Sequence, residues 1–144
     1  MTRARRLEPI QRIASTREQQ AAREWAEARQ AAQAAQEQLK ALEDYLAGYL
    51  SDYERARRER LDPRRMLDYQ RFIARLEAAI EEQRKLLALH SAEAERRRAH
   101  WEGKRIARGA LDKVTERIQE RETQEQHRRE QREQDDRRRR RDEK

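Results

Sequence analysis

The chain has 144 residues, of which 45% are charged and 35% hydrophobic, with 3 Gly, 2 Pro and no Cys. So few large apolar side chains cannot fill a round core, which excludes an ordinary globular domain. No apolar run approaches the ~20 residues of a membrane span, and the net charge of +7 arises from 36 bases interleaved with 29 acids, the pattern of a solvated helix face rather than a dedicated nucleic-acid surface.

The N-terminus, Met1 to Arg6, is basic and lacks the apolar segment of a signal peptide. With no Cys to suggest an oxidising compartment, a cytoplasmic protein without direct membrane insertion is expected. A first helix is predicted over about residues 10–58. From Ala21 the apolar positions step alternately by four and three: Ala21, Trp25, Ala28, Ala32, Ala35, Leu39, Leu42, Leu46, Tyr49, Tyr53. That is a heptad seam.

A turn is predicted at about 59–62. Pro63 suits the first position of a new helix, with Asp62 as its N-cap. The second helix is predicted from about 63 to 125 or beyond. Its seam reads Tyr69, Ile73, Leu76, Ile80, Gln83, Leu87, His90, Ala94, Arg97, Trp101, and continues through Lys104, Arg108, Leu111, Thr115 and Ile118. Residues 126–144 have no apolar seam, and a charged, solvated tail is expected there.

Folding the chain at the turn brings the two seams into phase. Tyr53 faces Tyr69, Tyr49 faces Ile73, Leu46 faces Leu76 and Leu42 faces Ile80, each pair of numbers summing to 122. The same sum pairs Ala35 with Leu87 and Ala21 with Trp101, small against large. It also sets Trp25 against Arg97, a cation–π arrangement, and Glu18 against Lys104, an ion pair. The expected fold is therefore all-α: a single domain in which two long helices form an antiparallel coiled-coil hairpin. The first helix would span ~70 Å at 1.5 Å per residue. Leucines and aromatics concentrate beside the turn, which predicts a firm tip. Gln83, His90, Arg97, Lys104 and Arg108 lie at the other seam half, and Gly103 and Gly109 weaken its helix, so that end is expected to fray without a partner.

Nothing in the sequence carries catalytic chemistry. The three glycines form no phosphate loop, and His90, His100 and His127 have no metal-ligand spacing. Neither cofactor nor metal is expected. Tyr45, Phe72, Ala79 and Leu86 lie just off the ladder. With Tyr49 and Leu76, two of them (Tyr45 and Phe72) make an aromatic-rich patch that reads either as a partner site or as flanks sealing the core.

The stretch Ala35-Gln36-Glu37-Gln38-Leu39-Lys40-Ala41-Leu42-Glu43-Asp44-Tyr45, followed by Tyr49, resembles the first helix of the FliJ family. Asp68-Tyr69-Gln70-Arg71-Phe72-Ile73-Ala74-Arg75-Leu76-Glu77-Ala78-Ala79-Ile80 resembles its second. Arg6-Leu7-Glu8-Pro9-Ile10 and Glu130 to Asp136 are similar to the family's ends. The resemblance implies a non-enzymatic component of bacterial flagellar protein export, similar in fold to the central stalk of rotary ATPases. It implies insertion into the ring of the export ATPase FliI, contact with the export gate protein FlhA, and binding of export chaperones. The gate-contact surface maps onto Gln38, Leu42, Tyr45, Tyr49, Phe72, Leu76, Ala79 and Gln83, where some relatives have His at the last position. ATPase contact falls on Leu7, Ile10, Ile13, Leu111, Val114 and Ile118. The protein is expected to be monomeric alone, and to sit peripherally at the cytoplasmic face of the inner membrane through the export apparatus. The competing readings are the stalk of a virulence-type injectisome, a basic nucleic-acid-binding coiled coil and a scaffold coiled coil.

Overall fold

A computed structural model describes residues 2–143. Two α-helices account for nearly all of them: α1, Arg3–Arg58, and α2, Pro63–Asp142. They pack antiparallel as a helical hairpin, as the matched seams predict. The predicted positions of α1 from Ala21 to Tyr53 are all buried or half-buried, and so are those of α2 from Tyr69 to Ile118, with Arg97 the one exposed member.

The turn is built from two caps. Arg60 N–H donates to the Arg57 carbonyl (3.3 Å) and Leu61 N–H to the Ala56 carbonyl (3.2 Å). This is a Schellman closure, and its left-handed position is Arg60 at φ 52°. Ala56 is buried and Leu61 half-buried, and these are the two positions where such closures favour apolar residues. Asp62 then caps α2: its Oδ1 accepts from Arg64 N–H at 3.1 Å, with Pro63 as the first helical residue.

α1 begins earlier than the expected residue 10. Thr2 acts as N-cap, its Oγ1 accepting from Arg5 N–H at 3.3 Å. The first turn of α1 contains no acid of its own. Glu122 of α2 takes that role, its Oε1 accepting from Arg3 N–H at 2.8 Å. Pro9 lies inside the helix and removes one backbone hydrogen bond. Packing offsets that loss, because the seam runs back from Ala21 through Glu18, Ala14, Gln11 and Leu7 to Ala4 without a change of step. None of these is exposed, and Ala4 is buried.

α2 continues through the segment expected to be a solvated tail. Every residue from 123 to 143 is exposed, yet the helix runs to Asp142. Arg, Glu and Gln are strong helix formers. Acids precede arginines by four residues at Glu125–Arg129, Glu133–Arg137, Asp135–Arg139 and Asp136–Arg140, the favourable order. Arg139, Arg140 and Arg141 end the helix, where cations suit its dipole.

The chain divides into two compact units: Met1–Ala21 with His100–Lys144, and Ala22–Ala99. A helix in a pair touches only the stretch beside it, so no common core gathers distant layers. The second unit contains the turn and is called the turn unit; the first is called the terminal unit. The turn unit buries Ala35, Leu39, Ala56, Leu76 and Ile80. The terminal unit buries Ala4, Ala21 and Thr115, whose hydroxyl donates to the Leu111 carbonyl at 3.0 Å.

Two expected cross-helix pairs are replaced by others. Glu18 pairs with Arg108 at 2.6 Å, not with Lys104. Arg97 pairs with Glu24 at 3.2 Å and Glu93 at 2.8 Å, while the cation over Trp25 is Arg29, four residues along α1 and 5.1 Å from the ring. Arginine side chains reach about a helical turn, so axial register alone does not choose their partners.

Candidate partner-binding site

The turn unit carries every tyrosine and the single phenylalanine of the chain. In heptad terms, Leu42, Tyr49, Leu76 and Gln83 occupy the d positions of the seam. Gln38, Tyr45, Phe72 and Ala79 occupy g, the flank beside it. In an antiparallel pair the g positions of the two helices lie along the same edge. The eight residues expected at the gate are therefore one half seam and one half flank.

Exposure follows that division. Leu76 is buried, and Leu42, Tyr49 and Gln83 are half-buried. Gln38, Tyr45 and Ala79 are exposed, and Phe72 is half-buried. Gln83 Nε2 donates to the Ala35 carbonyl at 3.1 Å, which commits its amide to the helix pair. The seam members thus position the flank, and the flank meets solvent.

Five rings form a connected cluster. Tyr49 and Phe72 lie 4.3 Å apart between centroids, Tyr45 and Tyr49 5.2 Å, and Tyr45 and Phe72 6.2 Å. Tyr69 joins through Tyr49 at 6.3 Å and Tyr53 at 6.2 Å. The Tyr53 hydroxyl accepts from Gln70 Nε2 at 3.0 Å. A hydrogen bond with Tyr45 pushes the Tyr49 phenol above its ordinary value, with burial and the neighbouring phenols adding to it. The Tyr49 hydroxyl therefore stays neutral at physiological pH, and the cluster presents amphipathic rings with polar tips. Tyr45 is the outward member at 53% exposure.

The flank continues past the residues expected at the gate. Seven residues beyond Ala79 stands Leu86, also at g, and Leu89 follows one turn later; they are 43% and 69% exposed. The step of seven from Phe72 through Ala79 is the signal that reaches Leu86. The opposite edge of the turn unit is more polar, with the Glu43–Arg84 pair at 3.8 Å beside Leu50.

In the terminal unit the six residues expected at the ATPase divide in the same way. Leu7, Leu111 and Ile118 are half-buried seam positions. Ile10, Ile13 and Val114 are outward, at 49%, 53% and 47% exposure. The edge at Gln11 is held by its Nε2, which donates to Asp112 Oδ1 at 3.3 Å. Among the described residues no group of His and acidic side chains is placed to hold a metal. No helix among them is long and apolar enough to cross a membrane.

An antiparallel helical hairpin with an exposed aromatic flank defines an all-α interaction protein. The chain matches the family model described as flagellar FliJ protein over residues 3–142. It belongs to the FliJ family and is a component of the flagellar export apparatus. No curated protein and no solved structure matches it.

Proposed function

We propose that the chain links the export ATPase to the export gate. The aromatic flank of the turn unit binds the gate protein FlhA, and the terminal unit enters the ring of the ATPase FliI and promotes its assembly. The observation that carries the gate assignment is the Tyr45–Tyr49–Phe72 cluster, where rings fixed by the seam lie on a solvent-facing edge. Rigid, amphipathic aromatics of this kind are the usual anchors of protein interfaces. In the terminal unit the outward Ile10, Ile13 and Val114 supply the ATPase contact, while Leu7, Leu111 and Ile118 hold the helix pair beneath them. Binding of empty export chaperones, a monomeric free state and a peripheral position at the inner membrane belong to the same reading. It includes no nucleic-acid partner.

A pull-down of the gate's cytoplasmic part tests it. Tyr45→Ala with Phe72→Ala should cut gate binding by about tenfold or more, as hot-spot aromatics do, while far-UV helicity stays near wild type and ATPase binding persists. Undiminished gate binding in a folded double variant would remove the flank from the interface.

A further inference from the structure

The turn holds more positive charge than its architecture needs. Residues 55–65 contain six arginines against two carboxylates, and all six arginines are exposed. Arg55, Arg57 and Arg58 lie in the last turn of α1, where cations suit the helix dipole. The other three run against local preference. Arg60 takes φ 52°, a conformation that glycine adopts at lower cost. Arg64 and Arg65 fill the second and third positions of α2, the positive end of its dipole, and that first turn contains no acid. Among the described residues, Arg57 alone of the six is ion-paired, to Glu54 at 3.7 Å. Guanidiniums placed at a local cost, with no ion pair formed among the described residues, point to an external anion.

Arg65 connects this charge to the aromatic flank. It lines an open cleft with Tyr49, Asp68, Tyr69 and Phe72. It also stands seven residues before Phe72, at the same g position. Read from the turn, this edge of α2 presents Arg65, Phe72, Ala79 and Leu86: basic, then aromatic, then aliphatic.

We propose that the turn and the aromatic flank form one composite site for an extended acidic–apolar segment of a partner protein. Its carboxylates meet Arg60, Arg64 and Arg65, and its apolar side chains lie along Tyr45 and Phe72. This deepens the gate-binding reading and rests on it for the partner's identity, though not for the segment's chemistry. The guanidinium fork matches a carboxylate in two hydrogen bonds and also stacks on aromatic rings. An anionic lipid surface would engage the same arginines but gives no role to a ring cluster running away from them along the helix pair.

The probe is a fluorescein-labelled synthetic peptide alternating Glu with Leu and Phe, compared with its Gln counterpart by anisotropy on the full chain. The Glu peptide should bind at least about tenfold more tightly, with an affinity that falls as salt rises. Arg64→Gln with Arg65→Gln should abolish most of that preference, and Arg60→Gly should reduce it in a protein that remains folded by circular dichroism. Arg128→Gln with Arg129→Gln, an equal change of charge elsewhere, should leave it intact. Equal binding of the two peptides, or equal loss in the Arg128/Arg129 variant, overturns the proposal. So does co-sedimentation with phosphatidylglycerol vesicles that depends on Arg64 and Arg65 while the peptides bind alike. Gate binding is read separately: its absence beside intact peptide binding refutes the gate assignment alone, and unaltered gate binding in a variant that has lost the peptide refutes the composite site alone.

Discussion

The two units use one heptad pattern with different contents. The turn unit closes its seam with Leu39, Leu76, Ile80 and a ring cluster. The terminal unit buries alanines and a threonine, and ties its layers with Glu18–Arg108 and Gln11–Asp112. Apolar layers give stability without strong preference for register, whereas polar layers give register at a cost in stability. The turn unit therefore serves as a firm platform for a surface, and the terminal unit keeps its alignment while remaining easier to open.

The sharpest way to break that contrast is to remove a core side chain from each unit. Leu76→Ala should cost about 2–4 kcal/mol, in the range of buried leucine truncations. Leu111→Ala, at a half-buried layer of the terminal unit, should cost about 1 kcal/mol. Urea titrations followed by circular dichroism compare the two, and equal losses would erase the distinction. Next in size is the Glu18–Arg108 layer. Glu18→Ala should lower Tm by less than Leu76→Ala does, since it strands one charge of the pair. Replacing both residues with Leu should return Tm to wild type or above, because a well-packed apolar pair avoids desolvating two charges.

Smaller still are the backbone effects. A Cβ at Gly109 would meet nothing within 4 Å, so Gly109→Ala should stabilise the terminal unit by up to about 1 kcal/mol. Arg60→Gly should stabilise the turn by a similar amount of about 1 kcal/mol. A drop in Tm for either variant would refute the account of that position.

The smallest expected effect is on pH. A hydrogen bond from Arg96, then one from Arg97, holds the Glu93 carboxyl below its ordinary value, and one from Arg98 does the same for Glu95. A depressed folded value means stability that is present above the unfolded carboxylate range and is lost as pH falls through the folded value. Tm should therefore decline slightly on the acid side below about pH 4.5. Glu93→Gln should flatten that decline, and high salt should shrink it, because these side chains are exposed. A Tm profile that Glu93→Gln leaves unchanged would separate this cluster from stability.

Much of this was legible because apolar periodicity survives folding. The turn at Asp62-Pro63, the two seams and their common phase all follow from where leucines, alanines and aromatics recur. The early start of α1 was legible too, since stepping back from Ala21 reaches Leu7 and Ala4, but Pro9 and the polar layers at Gln11 and Glu18 obscured it. Long charged side chains were the least readable. Glu18 reaches Arg108 and Arg97 turns to Glu24, choices made by rotamer and reach rather than by spacing. The helical course of residues 123–142 was hidden for a different reason: a charged composition resembles disorder, although its residue types and four-residue pairings favour helix. At the site, the residues holding the flank and those presenting it differ by a single heptad position, which an apolar ladder alone does not separate.

A register centred on the turn also makes length a paired quantity. One residue added to α1 would rotate everything beyond it by about 100° relative to α2, misaligning each later layer. Removing residues 29–35 together with their mirror images 87–93 would instead delete whole layers and leave the rest matched. The helix pair is thus adjustable only in balanced sevens: its number of layers can change over generations, but each change must be written twice, once on either side of the turn.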